Sequence, residues 1–331
     1  MLKIIAPAIV GLFLGWSGQV VAATTLKFAI SAPEKTPWTK NAYETAAYIN
    51  QATGGAVKIN VFPGGQLGNE QNAIGQVARG RIDMGSFSNT AASLIVPEMA
   101  LLAAPYLWDS ARQADCALDN YLIPIFQEKF RQKGLIILGW SEVGVMGYAF
   151  KDPIRTMAGF TGKKLRVAPT KTSVILARNL TANPVMLPIS AVASALQTGL
   201  VEGADLPGLA YTSLGVSEIA RYWVASRHSR QSGVILVNEN IWQTLNAIQQ
   251  KIFIKAQANP AKLRKQVRDA EASSLFAFEK RGGVIITPDE TEMQKWRRKG
   301  AQARTELIAA IGGDAREIFD KILAAKQACR Q

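Results

Sequence analysis

The stretch GKKLRVAPT (Gly162–Thr170), followed by NPVMLPISAVASALQTGLVEGADLP (Asn183–Pro207), decides the fold of this chain. Its pattern predicts a short basic strand that carries Arg166, a helix capped by Ser190, a break at Gly199 and a second short strand. An arginine that is held on a strand and faces a helix N-terminus is suited to binding a small anion. We therefore expect the rest of the chain to form two domains that close over this point.

Length and composition agree with two domains. The chain has 331 residues and is 48% hydrophobic, so it can bury a large core. Its net charge is +13, which is typical of proteins that meet nucleic acid or an anionic surface. The basic residues are dispersed, and the densest run spans only residues 295–299. We therefore expect no nucleic-acid partner, and we interpret the charge as a solvated surface that helps attract anionic ligands.

The N-terminus has the features of an export signal. Residues 4–16 form an apolar run that is too short to span a membrane comfortably, and small residues follow at Ala22 and Ala23. This pattern predicts a secretory signal peptide over residues 1–23, cleaved near Ala22 or Ala23. The alternative is an uncleaved anchor. We expect the mature protein to be soluble and periplasmic.

The cysteine and histidine content argues against a metal site. The two cysteines, Cys116 and Cys329, form no C-x-x-C motif, and His228 is the single histidine. This set predicts no metal site, and we expect no cofactor. In an oxidising compartment the two cysteines either form a disulfide or stay separate thiols.

Strand and helix patterns alternate along the first part of the chain. Residues 25–30 and 57–62 read as strands, and residues 40–53 and 69–79 read as helices. This alternation predicts a mainly parallel sheet covered by helices. The segment from Val77 to Asp83 is echoed between residues 196 and 202, which suggests two similar halves whose ligand-binding loops lie at strand C-termini.

No catalytic motif is present in the sequence. It contains no G-x-S-x-G, H-E-x-x-H, P-loop or G-x-G-x-x-G pattern. His228 lies in the polar run SRHSRQS, where no nucleophile or orienting carboxylate is indicated. We therefore predict that the protein is not an enzyme.

Several motifs in a fixed order resemble one known family. They are LKFAIS (26–31), TGGAVKINVFPGGQLGNEQNAIGQVARGRIDM (53–84), PEMALLAAPYLW (97–108), and the two stretches that open this section. Together with the helical C-terminal region, they make nearly the whole mature chain resemble the DctP-type solute-binding proteins of tripartite ATP-independent periplasmic (TRAP) transporters.

The resemblance implies an α/β, two-domain periplasmic-binding-protein-like fold with hinge strands and a long C-terminal helical region. Domain I would comprise residues 24–143 plus 232–271, and domain II residues 144–231 plus 272–331. A ligand between the domains would close them, and the closed form would deliver it to membrane permease subunits. We expect a monomer.

The resemblance also implies how the ligand is held. The family's ligand arginine falls on Arg166, which would form a bidentate pair with a carboxylate. A second arginine often found in relatives falls at or near Met146, and an asparagine falls on Leu206. These departures predict a monocarboxylate with an apolar part, lined by Met146, Ile189 and Leu206. The alternative is that these three side chains simply pack in a hinge core.

Four residues of the first domain complete the predicted site. Ser31, Glu70 and Ser88 are similar in placement to cleft-facing residues of the family. Glu70 either accepts hydrogen bonds from ligand hydroxyl or amine groups, or is a solvated residue in a first helical turn. Trp38 either covers an apolar ligand or packs on the sheet.

These features predict a periplasmic solute-binding protein for a small organic acid. Two alternatives use a similar scaffold: an exported enzyme, and a partner that presents the ligand to a membrane sensor. Turnover of the bound acid would favour the former, and co-purification with a sensor domain would favour the latter.

Overall fold

The computed structural model describes residues 23–330. The predicted signal peptide, apart from Ala23, lies outside the described residues. The strands are β1 (Thr24–Ile30), β2 (Val57–Phe62), β3 (Met84–Ser88), β4 (Leu135–Phe150), β5 (Lys164–Val167), β6 (Asn183–Met186), β7 (Gly203–Pro207), β8 (Tyr222–Val224), β9 (Arg230–Asn238) and β10 (Val284–Ile286).

The α-helices lie between and after these strands. They are α1 (Pro37–Ala52), α2 (Glu70–Ala78), α3 (Asn89–Ala92), α4 (Ala111–Ala117), α5 (Ile123–Arg131), α6 (Lys171–Asn179), α7 (Val192–Gln197), α8 (Gly208–Ser213), α9 (Val216–Ile219), α10 (Glu239–Thr244), α11 (Ala247–Ala256), α12 (Pro260–Lys280), α13 (Glu290–Ile311) and α14 (Ala315–Ala328). None of the helices within residues 23–330 is long and apolar enough to cross a membrane.

The strands form a mixed sheet in two halves. The order is β2-β1-β3-β9-β4-β7-β5-β6, with β8 also paired to β4 and β10 paired to β8. In the first half β2, β1 and β3 are parallel, and in the second half β7, β5 and β6 are parallel. Strands β4 and β9 run antiparallel to their neighbours. The fold class predicted from the sequence is therefore confirmed, with more antiparallel pairing at the centre than the pattern indicated.

Strand β4 joins the two halves. The sequence pattern of this region predicts two strands, over residues 134–140 and 143–150, but the structure has one strand of 16 residues. Its first part, up to Val145, pairs with β9, and its last part, from Met146, pairs with β7. The pairing shifts register between Glu142 and Gly144, and Gly144 has φ 122°, which glycine adopts far more readily than other residues.

Each half of the sheet carries hydrophobic cores. In the first half, one cluster includes Phe126 and Trp140, and another includes Phe28. In the second half, one cluster includes Tyr148 and another includes Tyr211. Each half is therefore a sheet covered by helices, as expected when parallel strands are buried.

The long helix α12 accompanies β4 between the halves. It has 21 residues, which corresponds to about 30 Å at 1.5 Å per residue. It packs against α1 of the first half, against β4, and against α8 of the second half. It is the first of the helices α12, α13 and α14, which form the C-terminal helical region that the resemblance implies.

The last helix returns to the first half. Ile318, Phe319 and Ile322 of α14 belong to the same cluster as Phe126. A disulfide joins Cys116 and Cys329, whose Cα atoms are 5.9 Å apart and whose sequence separation is 213. The resemblance placed residues 272–331 in domain II. Within that range, α14 packs on α4 of the first half through its apolar face and the disulfide.

Candidate ligand-binding cleft

A cavity of about 130 Å³ lies between the two halves of the sheet. It opens at the C-terminal ends of β1, β3, β5 and β7, where open α/β sheets bind ligands. All of the residues that the sequence predicted for the site line this one cavity: Arg166, Glu70, Ser31, Trp38, Ser88, Met146, Ile189 and Leu206.

Arg166 is held by the backbone of its own half. Its side chain lies on β5 and is 2% exposed. Its Nε donates to the Leu187 carbonyl oxygen at 2.9 Å, and Nη1 donates to the Asp205 carbonyl oxygen at 2.6 Å. Within residues 23–330, Nη2 donates no hydrogen bond. The guanidinium group is therefore oriented by two carbonyls and keeps donors for an anion in the cavity.

Arg166 keeps its positive charge although it is buried. Burial lowers the pKa of Arg166 to about 10, and the nearby carboxyl groups of Asp205 and Glu70 oppose that shift. The side chain thus stays protonated at neutral pH. It is the only lysine or arginine among the described residues that line the cavity. A carboxylate placed here would form charge-assisted hydrogen bonds in a site largely shielded from water.

Glu70 and Ser88 form a pair on the opposite wall. Glu70 begins α2, where its Oε1 accepts the Ser88 backbone N–H at 2.6 Å and its Oε2 accepts the Ser88 hydroxyl at 2.8 Å. The Ser88 Oγ also accepts the Ala91 N–H at 3.1 Å and so caps α3. Burial raises the pKa of Glu70, while the Ser88 hydrogen bonds and the charge of Arg166 lower it. Glu70 is thus bound to Ser88 rather than freely solvated.

The apolar wall comes from the hinge side of the second half. Met146 and Leu206 are buried, and their strands are adjacent because Met146 pairs with Pro207 and Gly147 with Leu206. Leu206 belongs to a core cluster, and Ile189 packs against that cluster. For Leu206 and Ile189, lining the cavity and packing on a core therefore occur together, and Met146 is buried at the cavity wall.

Trp38 is fixed between the halves. Its indole Nε1 donates to the Glu142 carbonyl oxygen of β4 at 2.6 Å. Its ring packs against the core beneath β1 and also against the small cluster of Leu209, Leu263 and Val267. Trp38 thus both packs on the sheet and lines the cavity.

Sequence reasoning missed several polar residues that line the cavity. Gln231, on β9, accepts a hydrogen bond from Thr90 Oγ1 at 3.0 Å. Glu142 lines the cavity and accepts from Arg230 at 3.1 Å and from Arg268 at 3.1 Å. The apolar pattern GVILV predicts a strand over residues 233–237 only, which does not include Gln231. Only the long-range pairing of β9 with β3 and β4 brings these groups to the cleft.

His228 does not line the cavity. It is 2% exposed, its Nδ1 lies 2.8 Å from Ser226 Oγ, and its Nε2 lies 3.4 Å from Asp205 Oδ1. Its ring stacks on the ring of Tyr148, and the two ring centroids are 4.5 Å apart. The histidine, serine and aspartate therefore form a buried contact behind the Arg166 wall, not an accessible nucleophile and base.

Comparison with known proteins identifies the family. The family model for bacterial extracellular solute-binding protein family 7, DctP, matches residues 28–310. The 2,3-diketo-L-gulonate-binding periplasmic protein YiaO of Escherichia coli is 26% identical over 309 residues, which is 92% of this chain and 90% of that protein.

Two solved structures have the same fold. The sugar acid binding protein DctPAm of Advenella mimigardefordensis, in complex with galactonate, has a TM-score of 0.88 at 23% identity and covers 93% of this chain and 99% of its own. A TRAP periplasmic solute-binding protein of Xanthobacter autotrophicus Py2, with bound β-D-galacturonate, has a TM-score of 0.84 at 26% identity and covers 91% and 99%. The chain described here therefore belongs to the DctP family of bacterial extracellular solute-binding proteins, the periplasmic binding proteins of TRAP transporters.

Proposed function

We propose that this protein captures a small organic acid, a monocarboxylate with an apolar part, and delivers it to a TRAP-type membrane permease. The observation that carries the proposal is Arg166, a buried cation with oriented and unused donors in the cavity. A carboxylate would pair with Arg166, and the apolar part would contact Met146, Ile189 and Leu206. Relatives bound to galactonate and galacturonate support a carboxylate ligand, since each of these acids carries one carboxyl group.

The opposite wall has a supporting role in this proposal. Glu70 and Ser88 hold each other at the end of β3, Ser31 follows β1, and Trp38 covers the side of the ligand that faces the hinge. The two domains would be residues 24–143 plus 232–271 and residues 144–231 plus 272–331, with the tail helix attached to the first. The protein would act as a monomer in the periplasm. Its two domains would close about β4, where the pairing with β9 shifts register at Gly144.

Thermal unfolding with a panel of carboxylates tests this function. A bound ligand at about 100 times its Kd adds roughly 2.7 kcal/mol to the free energy of unfolding. Arg166→Ala should weaken binding of the identified acid about a hundredfold or more, because it removes one partner of a buried charge pair. Arg178→Ala, an exposed arginine on α6, removes the same charge outside the cleft and should leave binding unchanged. Equal affinity in the wild type and Arg166→Ala would contradict the proposal.

We also infer that the acid leaves the cleft chemically unchanged. His228 is enclosed by Ser226, Asp205 and Tyr148 and so cannot reach the cavity as a base. Incubating the purified protein with its identified acid, followed by mass spectrometry, should recover the acid intact. Turnover above the rate of the protein-free reaction would overturn this inference.

A further inference from the structure

A second cavity, of about 290 Å³, lies at the edge of the second half that is opposite to the cleft. Thr161 and Thr181 line it and come just before the first residues of β5 and β6, whereas the cleft opens at the C-terminal end of β5. The other walls are the 3-10 turn at residues 157–160, the end of α6 and the N-terminal part of α13. No residue lines both cavities, so this one is separate from the proposed acid site.

The charges on the wall of this second cavity favour an anion. Lys295 and Lys299 are four residues apart on α13 and therefore share one face of the helix. Glu292 is buried, accepts the Met157 backbone N–H and pairs with Lys295 at 3.0 Å. Within residues 23–330, Lys299 forms neither an ion pair nor a side-chain hydrogen bond. One positive charge therefore remains for a ligand.

The uncharged groups on the wall provide acceptors as well. Thr181 Oγ1 donates its only hydrogen to the Leu180 carbonyl oxygen at 2.6 Å. In the 2.8 Å contact between the Thr161 and Thr181 hydroxyl groups, Thr161 is therefore the donor. Asn179 Nδ2 donates two hydrogen bonds, to a backbone carbonyl and to a carboxylate. Thr161 Oγ1 and Asn179 Oδ1 are thus acceptors that receive no hydrogen from residues 23–330.

The backbone at Thr181 is strained. Its φ is 59°, a left-handed conformation that a β-branched residue rarely adopts. The corresponding position, two residues after the last helical residue, is Gly54 for α1, Gly80 for α2 and Gly199 for α7, all with positive φ. A threonine in place of glycine costs stability here and puts a hydroxyl group on the cavity wall. Strain of this kind is typical of functional positions.

A phosphate group that retains a proton matches these partners. Its charged oxygens accept hydrogen bonds from the Lys299 ammonium group, for which phosphate is a common ligand. Its protonated oxygen donates, which neither Lys299 nor a fully ionised anion can do. Sulfate has the same shape and is fully ionised at neutral pH, so it has no hydrogen for Thr161 or Asn179.

We propose that the second cavity binds a phosphate group, as inorganic phosphate or as a phosphomonoester. Lys299 pairs with the charged oxygens, and the protonated oxygen donates to Thr161 Oγ1 beside Asn179. Thr181 holds the Thr161 hydroxyl group in position. The site is independent of the acid that the cleft captures.

Calorimetric titration of the purified protein at neutral pH tests this site. We expect phosphate to bind about tenfold more tightly than sulfate, because only phosphate donates a hydrogen bond. Lys299→Gln should weaken binding of both anions about tenfold, since it removes their charged partner. Thr161→Val should weaken binding of phosphate alone. Methyl phosphate separates the two sources: affinity equal to that of phosphate assigns the site to phosphomonoesters, and weaker binding assigns it to inorganic phosphate.

Two further variants serve as controls. Arg298 is exposed on α13 and does not line the cavity. Arg298→Gln removes the same charge as Lys299→Gln and should change the affinity for phosphate less than about twofold, because salt screens an exposed charge. Thr181→Gly relieves the left-handed strain, so it should not lower the melting temperature. It should nevertheless weaken phosphate binding, because Thr161 loses its partner.

Several results would overturn the proposal. They are equal affinities for phosphate and sulfate in the wild type, an effect of Lys299→Gln no larger than that of Arg298→Gln, and no phosphate binding at all. Phosphate binding that Arg166→Ala abolishes would also overturn it, because that binding would belong to the cleft. If Thr161→Val does not fold, Lys299→Gln and the comparison of phosphate with sulfate decide the outcome.

Discussion

The Oε2 atom of Glu271 lies 2.7 Å from the position that a Cβ atom would occupy at Gly144. Glu271 is on α12 and Gly144 is on β4, the helix and the strand that both pass between the two halves. Glu271 also approaches Gly208, the first residue of α8, where a Cβ atom would lie 3.1 Å from its Cγ. The carboxyl group therefore occupies the point where the connecting elements meet.

Replacing Gly144 by alanine should destabilise the protein for two reasons. Its φ of 122° is strained for any L side chain, and the added methyl group would meet Glu271. We expect Gly144→Ala to lower the free energy of unfolding by about 3 kcal/mol or more, as measured by urea titration. Gly134→Ala is the control, because its φ is 70° with no atom within 4 Å, so only about 1–2 kcal/mol of backbone strain applies. Similar losses in both variants would show that Glu271 adds nothing.

The charge of Glu271 should make stability depend on pH. Burial raises the pKa of Glu271, although the Val145 and Leu209 backbone N–H groups favour its charged form. The folded-state pKa lies above the unfolded-state value of about 4.3. The stabilising contribution of Glu271 to the free energy of unfolding is therefore fully present below that pH. It is lost as the pH rises through the raised pKa.

Glu271→Gln removes this dependence. The variant should gain stability relative to the wild type as the pH increases through that interval, and the difference should then stay constant. Urea titrations at a series of pH values would measure it. A difference that is independent of pH would contradict the raised pKa.

The disulfide should contribute strongly to stability. It closes a loop with a sequence separation of 213, for which the loop-entropy relation gives up to about 5 kcal/mol. Replacing both Cys116 and Cys329 by serine should lower the melting temperature in calorimetry. Reductant should lower the melting temperature of the wild type toward that of the variant and leave the variant unaffected. A wild type insensitive to full reduction would contradict the prediction.

Ser88 should contribute more to the free energy of unfolding than Ser190, although the sequence predicted Ser190 as a helix cap. Ser88 Oγ caps α3 and donates to Glu70, so Ser88→Ala should cost about 1–2 kcal/mol. Ser190 lies in a 3-10 turn before α7, and no side chain caps that helix. Ser190→Ala should therefore stay within about 0.5 kcal/mol of the wild type in chemical unfolding. The reverse order would contradict the assignment of the cap.

Local sequence patterns were enough to predict several residues of the site. Ser31, Ser88, Arg166 and Leu206 lie at or next to the C-terminal ends of strands whose alternation is visible in the sequence. Once the strands are parallel, those ends meet at one edge, so residues far apart in sequence share a cavity. The motifs of a known family then indicated which side chains at that edge to choose.

Long-range pairing set the limit of that prediction. Gln231 and Glu142 reach the cleft because β9 pairs with β4 across a register shift that no local pattern encodes. The sequence pattern places Gly144 in a strand over residues 143–150 that is separate from the one before it, whereas β4 runs through both because its two parts pair with β9 and β7. The attachment of α14 to the first half depends on a contact with α4, which is distant in sequence.

The link between Cys116 and Cys329 changes how the chain transmits mechanical force. The intervening residues include all of β4 to β10 and the helices from α5 to α14, so the second half lies inside a covalently closed ring. A pull applied to the two ends of the oxidised chain would run through β1 to α4 and cross directly at the sulfur atoms. Arg166 and its strand would stay folded under a load that unravels β1, and only reduction would place them in the path of the force.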